Sequence, residues 1–188
     1  MNSFMACQQI EKESLAILRP FIEQHSINGQ YVLIEKGRLA AELQQAYGDV
    51  FMNGRNGGIR SVEIKAEKQN KYGNLFLETW SNRSRFNPGW LYKLDADVLM
   101  YHFLDSDELF VMGFVELRRW VFWHEPRLKP RLYQYPPRLQ SKNQQLNDTW
   151  GACVPISHLK AGLKSFKSLT ASTGEPIENQ NVLFGGAA

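Results

Sequence analysis

Cysteine is scarce in this chain: two in 188 residues, Cys7 and Cys153, stand far apart, outside any Cys-x-x-Cys pair and away from histidine at zinc spacing. That disfavours a disulfide framework and a zinc module, and two reduced thiols suit a cytoplasmic protein. No uninterrupted apolar run reaches the length of a membrane span, and Met1 to Cys7 do not lead from a basic segment into an apolar one. Membrane insertion and secretion are therefore not expected. Charge of one sign is lacking too: 22 Lys and Arg against 19 Asp and Glu leave +3, which permits a polyanionic partner without demanding one. No internal repeat is visible. What is present, 43% hydrophobic and 12% aromatic residues, describes one folded globular core rather than a disordered chain or two large domains.

The periodicity predicts an α/β domain. Residues 5–25 read as an amphipathic helix interrupted near Pro20, and His25 to Gln30 as a turn through Asn28-Gly29. A second helix is expected from about Val32 to Tyr47, with Gly48 as its stop. Asp49-Val-Phe-Met, a Gly/Asn-rich turn from Asn53 to Gly58, and Ile59 to Lys65 then read as a two-stranded hairpin. Asn74 to Trp80 is expected as a third strand, central in the sheet because both faces are bulky. After a polar loop, Ser81 to Gly89, two strands flank the tight turn at Asp105-Ser-Asp, and Phe114 to Trp123 forms a short helix ended by Pro126. From Arg127 the chain turns Pro-rich and extended. The expected organisation is one domain over residues 1–163, its core at about 32–125, followed by a loosely held C-terminal tail, 164–188.

The chemistry concentrates in the hairpin. In Val62-Glu63-Ile64-Lys65 a strand buries Val62 and Ile64 on one face and places Glu63 and Lys65 together on the other. Asp49 begins the preceding strand, so the two carboxylates converge at the sheet's edge. With the backbone carbonyl of Ile64 they form a hard oxygen site suited to Mg²⁺, with Mn²⁺ able to substitute. Such a site acidifies a bound water and neutralises charge on a phosphate, while Lys65 orients the nucleophile; these are the needs of phosphodiester hydrolysis.

Asp49, followed by Glu63-Ile64-Lys65, resembles the signature of the PD-(D/E)XK nuclease superfamily, an acid opening one strand and an acid-x-Lys on the next. The resemblance implies a restriction-endonuclease-like core, with a central mixed β-sheet flanked by helices, and a metal-dependent endodeoxyribonuclease. Catalytic residues would be Asp49, Glu63, Lys65 and Glu78, with metal held by Asp49, Glu63 and Ile64. Many members carry a further Glu on a helix before the first strand, and Glu42 stands in such a position. Gly48 occupies the place of the motif's proline. A narrower resemblance, to uncharacterised phage and bacterial proteins, lies in Gly73-Asn74-Leu-Phe-Leu-Glu78, Gly89-Trp90 and Ala96-Asp97; together the two resemblances span about residues 40–120. Glu78 reads equally as a metal or water ligand and as a polar partner of Arg83 or Lys65. Pairing Glu63 with Glu78 as the two acids puts Trp80 in the lysine's place, which ranks lower.

Arg118 to Lys142 holds seven cations against the single acid Glu125, with Trp120, Trp123, Tyr133 and Tyr135 interleaved. That composition fits phosphate contacts with stacking, and equally a solvated helix face followed by a stiff loop. If the nuclease reading holds, the expected DNA-binding residues are Arg118, Arg119, Arg127, Lys129 and Arg131, with Arg55, Arg83 and Arg85 nearer the hairpin. His102, in an aromatic run, is expected to be a packed core histidine rather than a general base. DNA is the expected partner, with a homodimer left open as the arrangement that cuts both strands. A non-cleaving nuclease-fold DNA-binding or inhibitory protein is the alternative, and an RNA-directed relative a third, because nothing in the motif senses a 2′-hydroxyl.

Overall fold

The computed structural model describes residues 3–34, 38–54, 58–128, 132–134, 138–139 and 146–177, with backbone alone at 3–7, 38, 125–128, 132–134, 138–139 and 146–147. Its elements run α1 (Ser3–His25), β1 (Ser26–Leu33), α2 (Arg38–Tyr47), β2 (Val50–Gly54), β3 (Ile59–Glu67), β4 (Asn74–Asn82) and β5 (Asn87–Pro88). After these come α3 (Trp90–Lys93), β6 (Val98–Phe103), β7 (Glu108–Gly113), α4 (Phe114–Leu128), β8 (Leu132–Gln134), β9 (Arg138–Leu139), β10 (Leu146–Asn147), β11 (Trp150–Pro155), α5 (Ile156–Gly162) and β12 (Lys167–Thr170). The class is α/β. A six-stranded sheet in the order β1-β2-β3-β6-β7-β12 is mixed, because β3 and β6 run parallel while every other neighbouring pair is antiparallel.

Two apolar clusters lie on opposite faces of this sheet, as the period of two requires. On one face Ser14, Leu18, Phe21 and Ile22, spaced as a helical stripe on α1, cover Val50, Val62 and Met100. On the other, Leu99, Tyr101, Phe103, Phe110 and Met112 meet Leu75 and Leu77 of β4, Leu91 of α3, Leu117 of α4 and Val154 of β11. That second layer contains a four-stranded sheet, β5-β4-β11-β8. Glu63 and Lys65 project between the layers. Among the described residues no helix is long and apolar enough to cross a membrane.

The β2–β3 hairpin and the β6–β7 pair stand where the periodicity puts them, and the first helix runs unbroken from Ser3 to His25 through Pro20, without the interruption expected there, while other elements differ. Ser26 to Leu33 is a strand, not a turn leading into a helix. Tyr31 and Leu33 point to the α1 face while Val32 is 64% exposed, and Asn28 and Gly29, with φ of 52° and 67°, form an irregularity in its pairing with β2. Helix α2 begins only at Arg38. Strand β4 is central, but in the second sheet; its Leu75 and Leu77 face is buried against β6 and α3, while Phe76, Glu78 and Trp80 on the other face are half-buried. Helix α4 runs through Pro126 to Leu128; a proline in the last turn forfeits only one hydrogen bond. Beyond Leu163, β12 pairs with β7 and Ala171 packs on the α1 face, so that this part of the expected tail belongs to the core; residues 178–188 lie outside the described residues.

Candidate active site

The hairpin brings Asp49 to Glu63 and Lys65 through a backbone constraint at Gly48. Its N–H donates to the Gln44 carbonyl at 3.0 Å, closing α2, and its φ is 101°. A Cβ there would stand 2.7 Å from the Val62 carbonyl oxygen. Proline can supply neither that φ nor that N–H, so the backbone before Asp49 calls for glycine. Asp49 follows at once, its N–H donating to Val62 O at 2.8 Å and its carbonyl accepting from Ile34 N–H at 2.9 Å. The chain therefore turns from helix into ladder within two residues and fixes the Asp49 side chain beside β3.

There the Ile64 N–H donates to Asp49 Oδ2 at 2.9 Å. A strand residue presents N–H and C=O to the same edge, so the Ile64 carbonyl faces the Asp49 edge as well. Glu63 is 4% exposed, close enough to hydrogen-bond the Asp49 carboxyl, and its Oε1 is paired with Lys65 Nζ. The Lys65 ammonium also lies 5.7 Å from the centre of the Trp90 ring. Glu78 comes across from β4, its Oε1 accepting the Trp90 N–H at 3.3 Å. That approach needs Gly89, where a Cβ would fall 2.4 Å from the Glu78 carbonyl oxygen.

Electrostatics mark these groups as a coupled set. Burial raises Glu63 from 4.5 to about 7, against the pull of Lys65 and with the push of Asp49 and Glu11. Burial also raises Asp49, opposed by Lys65 and the Ile64 N–H. Glu78 is raised by burial, with the Trp90 N–H and then Lys65 acting against it. Desolvation works to lower Lys65, yet the fields of Glu63 and Asp49 outweigh it and leave the ammonium raised. Acids held above their usual range beside one cation are the environment in which a divalent ion gains most. Among the described residues no group of three or more His, Cys, Asp or Glu side chains is placed to hold a metal. The donor set here is smaller, two carboxylates and a carbonyl, leaving the remaining positions to water and substrate.

Two cavities meet at this point. One of about 550 Å³ on the α1 side is lined by Glu11, Lys12, Gln44, Asp49, Ile64 and Lys65. One of about 300 Å³ on the β4 side is lined by Asp49, Glu63, Lys65, Glu78, Ser81 and Trp90. Asp49 and Lys65 belong to both. The helical carboxylate that borders Asp49 and Lys65 is Glu11 of α1, raised by desolvation with Lys65 opposing and Asp49 reinforcing the rise. Glu42 is exposed and lines neither cavity. The position of Glu11, one α1 turn before the buried Ser14, was the available signal, because it lies on the flank of the stripe that faces the sheet.

The cationic residues are dispersed. Arg118 is a packing residue: Nε donates to Leu91 O at 3.0 Å, a terminal nitrogen donates to Leu94 O, and the guanidinium lies 5.1 Å from the Phe114 ring. Nε and that terminal nitrogen are thus engaged by α3 and the residue that follows it, and the side chain is half-buried, so that packing is a role beside its expected place on a DNA surface. Arg119 is exposed. Arg83 and Arg85 are exposed on the turn between β4 and β5, whose neighbours Ser81 and Pro88 line the smaller cavity. Arg55, Lys129 and Arg131 lie outside the described residues, as does the side chain of Arg127. His102 is fully buried on the α1 face, its Nδ1 2.9 Å from the Ser14 hydroxyl, and burial lowers it; it is a core histidine. Ala96-Asp97 serves the fold too, since Asp97 Oδ2 accepts the Ser61 N–H at 2.9 Å and so pins β6 to β3.

Comparison with known proteins adds no relative: no family model, no curated protein and no solved structure matches this chain.

Proposed function

We propose that this chain is a divalent-metal-dependent nuclease, hydrolysing phosphodiester bonds of DNA on a restriction-endonuclease-like core. One observation carries the proposal: Asp49, Glu63 and Lys65, separated by a 13-residue hairpin span that folding alone does not oblige to carry charge, meet in one cluster between two cavities, Glu63 buried and Asp49 and Lys65 half-buried. Desolvating two acids, one buried and one half-buried, costs stability, and that cost is explained when the acids serve a ligand.

Asp49 and Glu63, with the Ile64 carbonyl, are the residues that would hold Mg²⁺ or Mn²⁺, which when bound supplies an acidified water and offsets negative charge on the phosphate. Lys65 adds the positive charge that orients a nucleophile and stabilises the pentavalent phosphate. Trp90 and the strand backbone hold that ammonium on a rigid mount, so little reorganisation is needed when charge develops. Glu78, from the second layer, and Glu11, from α1, stand where a proton can be taken up at either mouth of the site, because both are raised toward neutrality.

A second reading is favoured by one feature, the direct pairing of Lys65 with Glu63. A lysine that satisfies the acid itself suits a non-cleaving, DNA-binding or inhibitory protein. Incubation with linear, circular, single-stranded and branched DNA, with and without Mg²⁺ or Mn²⁺, separates the two. Metal-dependent cutting that is lost in Glu63→Ala and Lys65→Ala supports the nuclease; wild-type protein that binds all four and cuts none overturns it.

A further inference from the structure

The turn between β4 and β5 presents an aromatic ring where the backbone argues against one. Residues 83–86 join the paired Asn82 and Asn87, and the Phe86 N–H closes the turn on the Arg83 carbonyl at 3.0 Å. Phe86 lies in the left-handed region at φ 55°, a conformation that glycine or asparagine adopts with least strain and that bulky residues resist. Packing does not compensate, for Phe86 is 82% exposed. The conformation is imposed from beneath. Asn82 Oδ1 accepts from the Ser84 hydroxyl and the Arg85 N–H, each at 3.1 Å, and Asp148 Oδ2 accepts from the Ser84 N–H at 3.0 Å. Asp148 is itself held by Trp150 Nε1–H at 2.7 Å, and the Trp150 ring carries the Arg83 guanidinium 4.5 Å from its centre.

An exposed aromatic residue thus shares a hydrogen-bonded turn with two exposed arginines, and the turn's flanking residues Ser81 and Pro88 share a cavity with Glu63, Lys65 and Glu78. Folding supplies no reason for a phenylalanine there. We infer that Phe86 is a stacking platform for an unpaired nucleobase, with Arg83 and Arg85 meeting the adjoining phosphates. The inference rests on the nuclease reading and narrows its substrate to nucleic acid with a single-stranded or unstacked nucleotide beside the scissile bond. The match is one of chemistry: every base offers a face to an aromatic ring, whatever the sequence, and the backbone phosphates on either side call for cations. A turn backbone already fixed before binding adds little ordering cost when a base stacks on its ring.

The test is a single-stranded oligodeoxynucleotide carrying 2-aminopurine, titrated with the full chain in Ca²⁺ and followed by the probe's fluorescence. Wild-type protein quenches the probe. Phe86→Gly weakens binding about tenfold and removes the quench, while its melting temperature holds or rises because the left-handed strain is relieved; Phe86→Trp keeps both binding and quench. A Phe86→Gly variant that binds and quenches like wild type overturns the platform, and so does one that melts lower, which returns Phe86 to a structural role. The two readings fail separately. If wild type cuts DNA in Mg²⁺ and Phe86→Gly is indistinguishable from it, the platform falls and the nuclease stands. If Phe86-dependent quenching is seen in a protein that cuts nothing, the nuclease falls and a binding platform stands.

Discussion

Replacing Glu63 with glutamine should make this protein more stable and inactive at once. Glu63 is buried, and its folded pKa is raised from 4.5 to about 7 by desolvation above all. Because the folded value lies above the unfolded one, the associated stability is fully present below about pH 4.5, declines as pH rises through the interval, and is lost above about pH 7. Each pH unit between the two values is worth about 1.4 kcal/mol, so ionised Glu63 costs the fold about 3 kcal/mol at about pH 8. Glutamine keeps the shape and removes the charge. In a chain of this size the gain corresponds to roughly 6–12 °C in melting temperature. The assay is thermal or urea unfolding in metal-free buffer at about pH 8 and again at about pH 4, where the two proteins should converge because Glu63 is protonated in both states. A Glu63→Gln variant no more stable than wild type at about pH 8, or a difference that survives acidification, would refute the argument that this acid is held in the fold at a cost.

Divalent metal should act on the same quantity from the other side. Mg²⁺ at about a hundredfold excess over its dissociation constant should stabilise wild type by about 3 kcal/mol and leave Asp49→Asn unchanged; equal shifts in differential scanning calorimetry would dissociate Asp49 from metal binding. Arg118→Ala should destabilise by about 2 kcal/mol, since it orphans the Leu91 and Leu94 carbonyls, whereas Arg119→Ala should leave the melting temperature in place; equal effects would contradict the packing role. Gly48→Ala should cost roughly 2 kcal/mol or more, because the added carbon meets the Val62 carbonyl in a left-handed backbone. Urea unfolding measures it, and a neutral outcome would remove Gly48 as the constraint on Asp49. Glu11→Gln should lower metal-dependent cutting while leaving the fold intact, and unchanged turnover would confine Glu11 to the rim.

What the sequence made legible was local. Glu63 and Lys65 share a face because strands repeat every two residues, and Asp49 meets them because a hairpin returns the chain to its start. The Ser26–Leu33 strand was hidden for the complementary reason: Val32, Leu33 and Leu39 also fit a helical period, and only pairing with β2 decides between the two. Likewise the bulky faces of β4 announce burial without saying by what. The buried one packs on the six-stranded sheet and α3, while the in-sheet partner, β11, arrives some seventy residues later, with Gly151 opposite Glu78.

Glu11 shows why a motif underdetermines its own site. A strand signature specifies groups on neighbouring residues, but the acid that completes their field comes from α1, whose register on the sheet is set by Leu18, Phe21 and Ile22 packing over Val62 and Met100. The apolar stripe carries the information, because once those three residues are seated, helical geometry sets Glu11 about two turns back along the same side, beside Lys65 and Asp49. If the site is a nuclease centre, its geometry thus depends on the α1 core contact as much as on the hairpin. A cavity-forming change at Leu18 should therefore impair metal-dependent cutting out of proportion to its distance from the phosphate. Restoring the melting temperature with a second, remote stabilising substitution should not restore the rate. Full recovery of turnover on such restabilisation would show that the helix contributes only stability, and that the acid it carries has no part in the reaction.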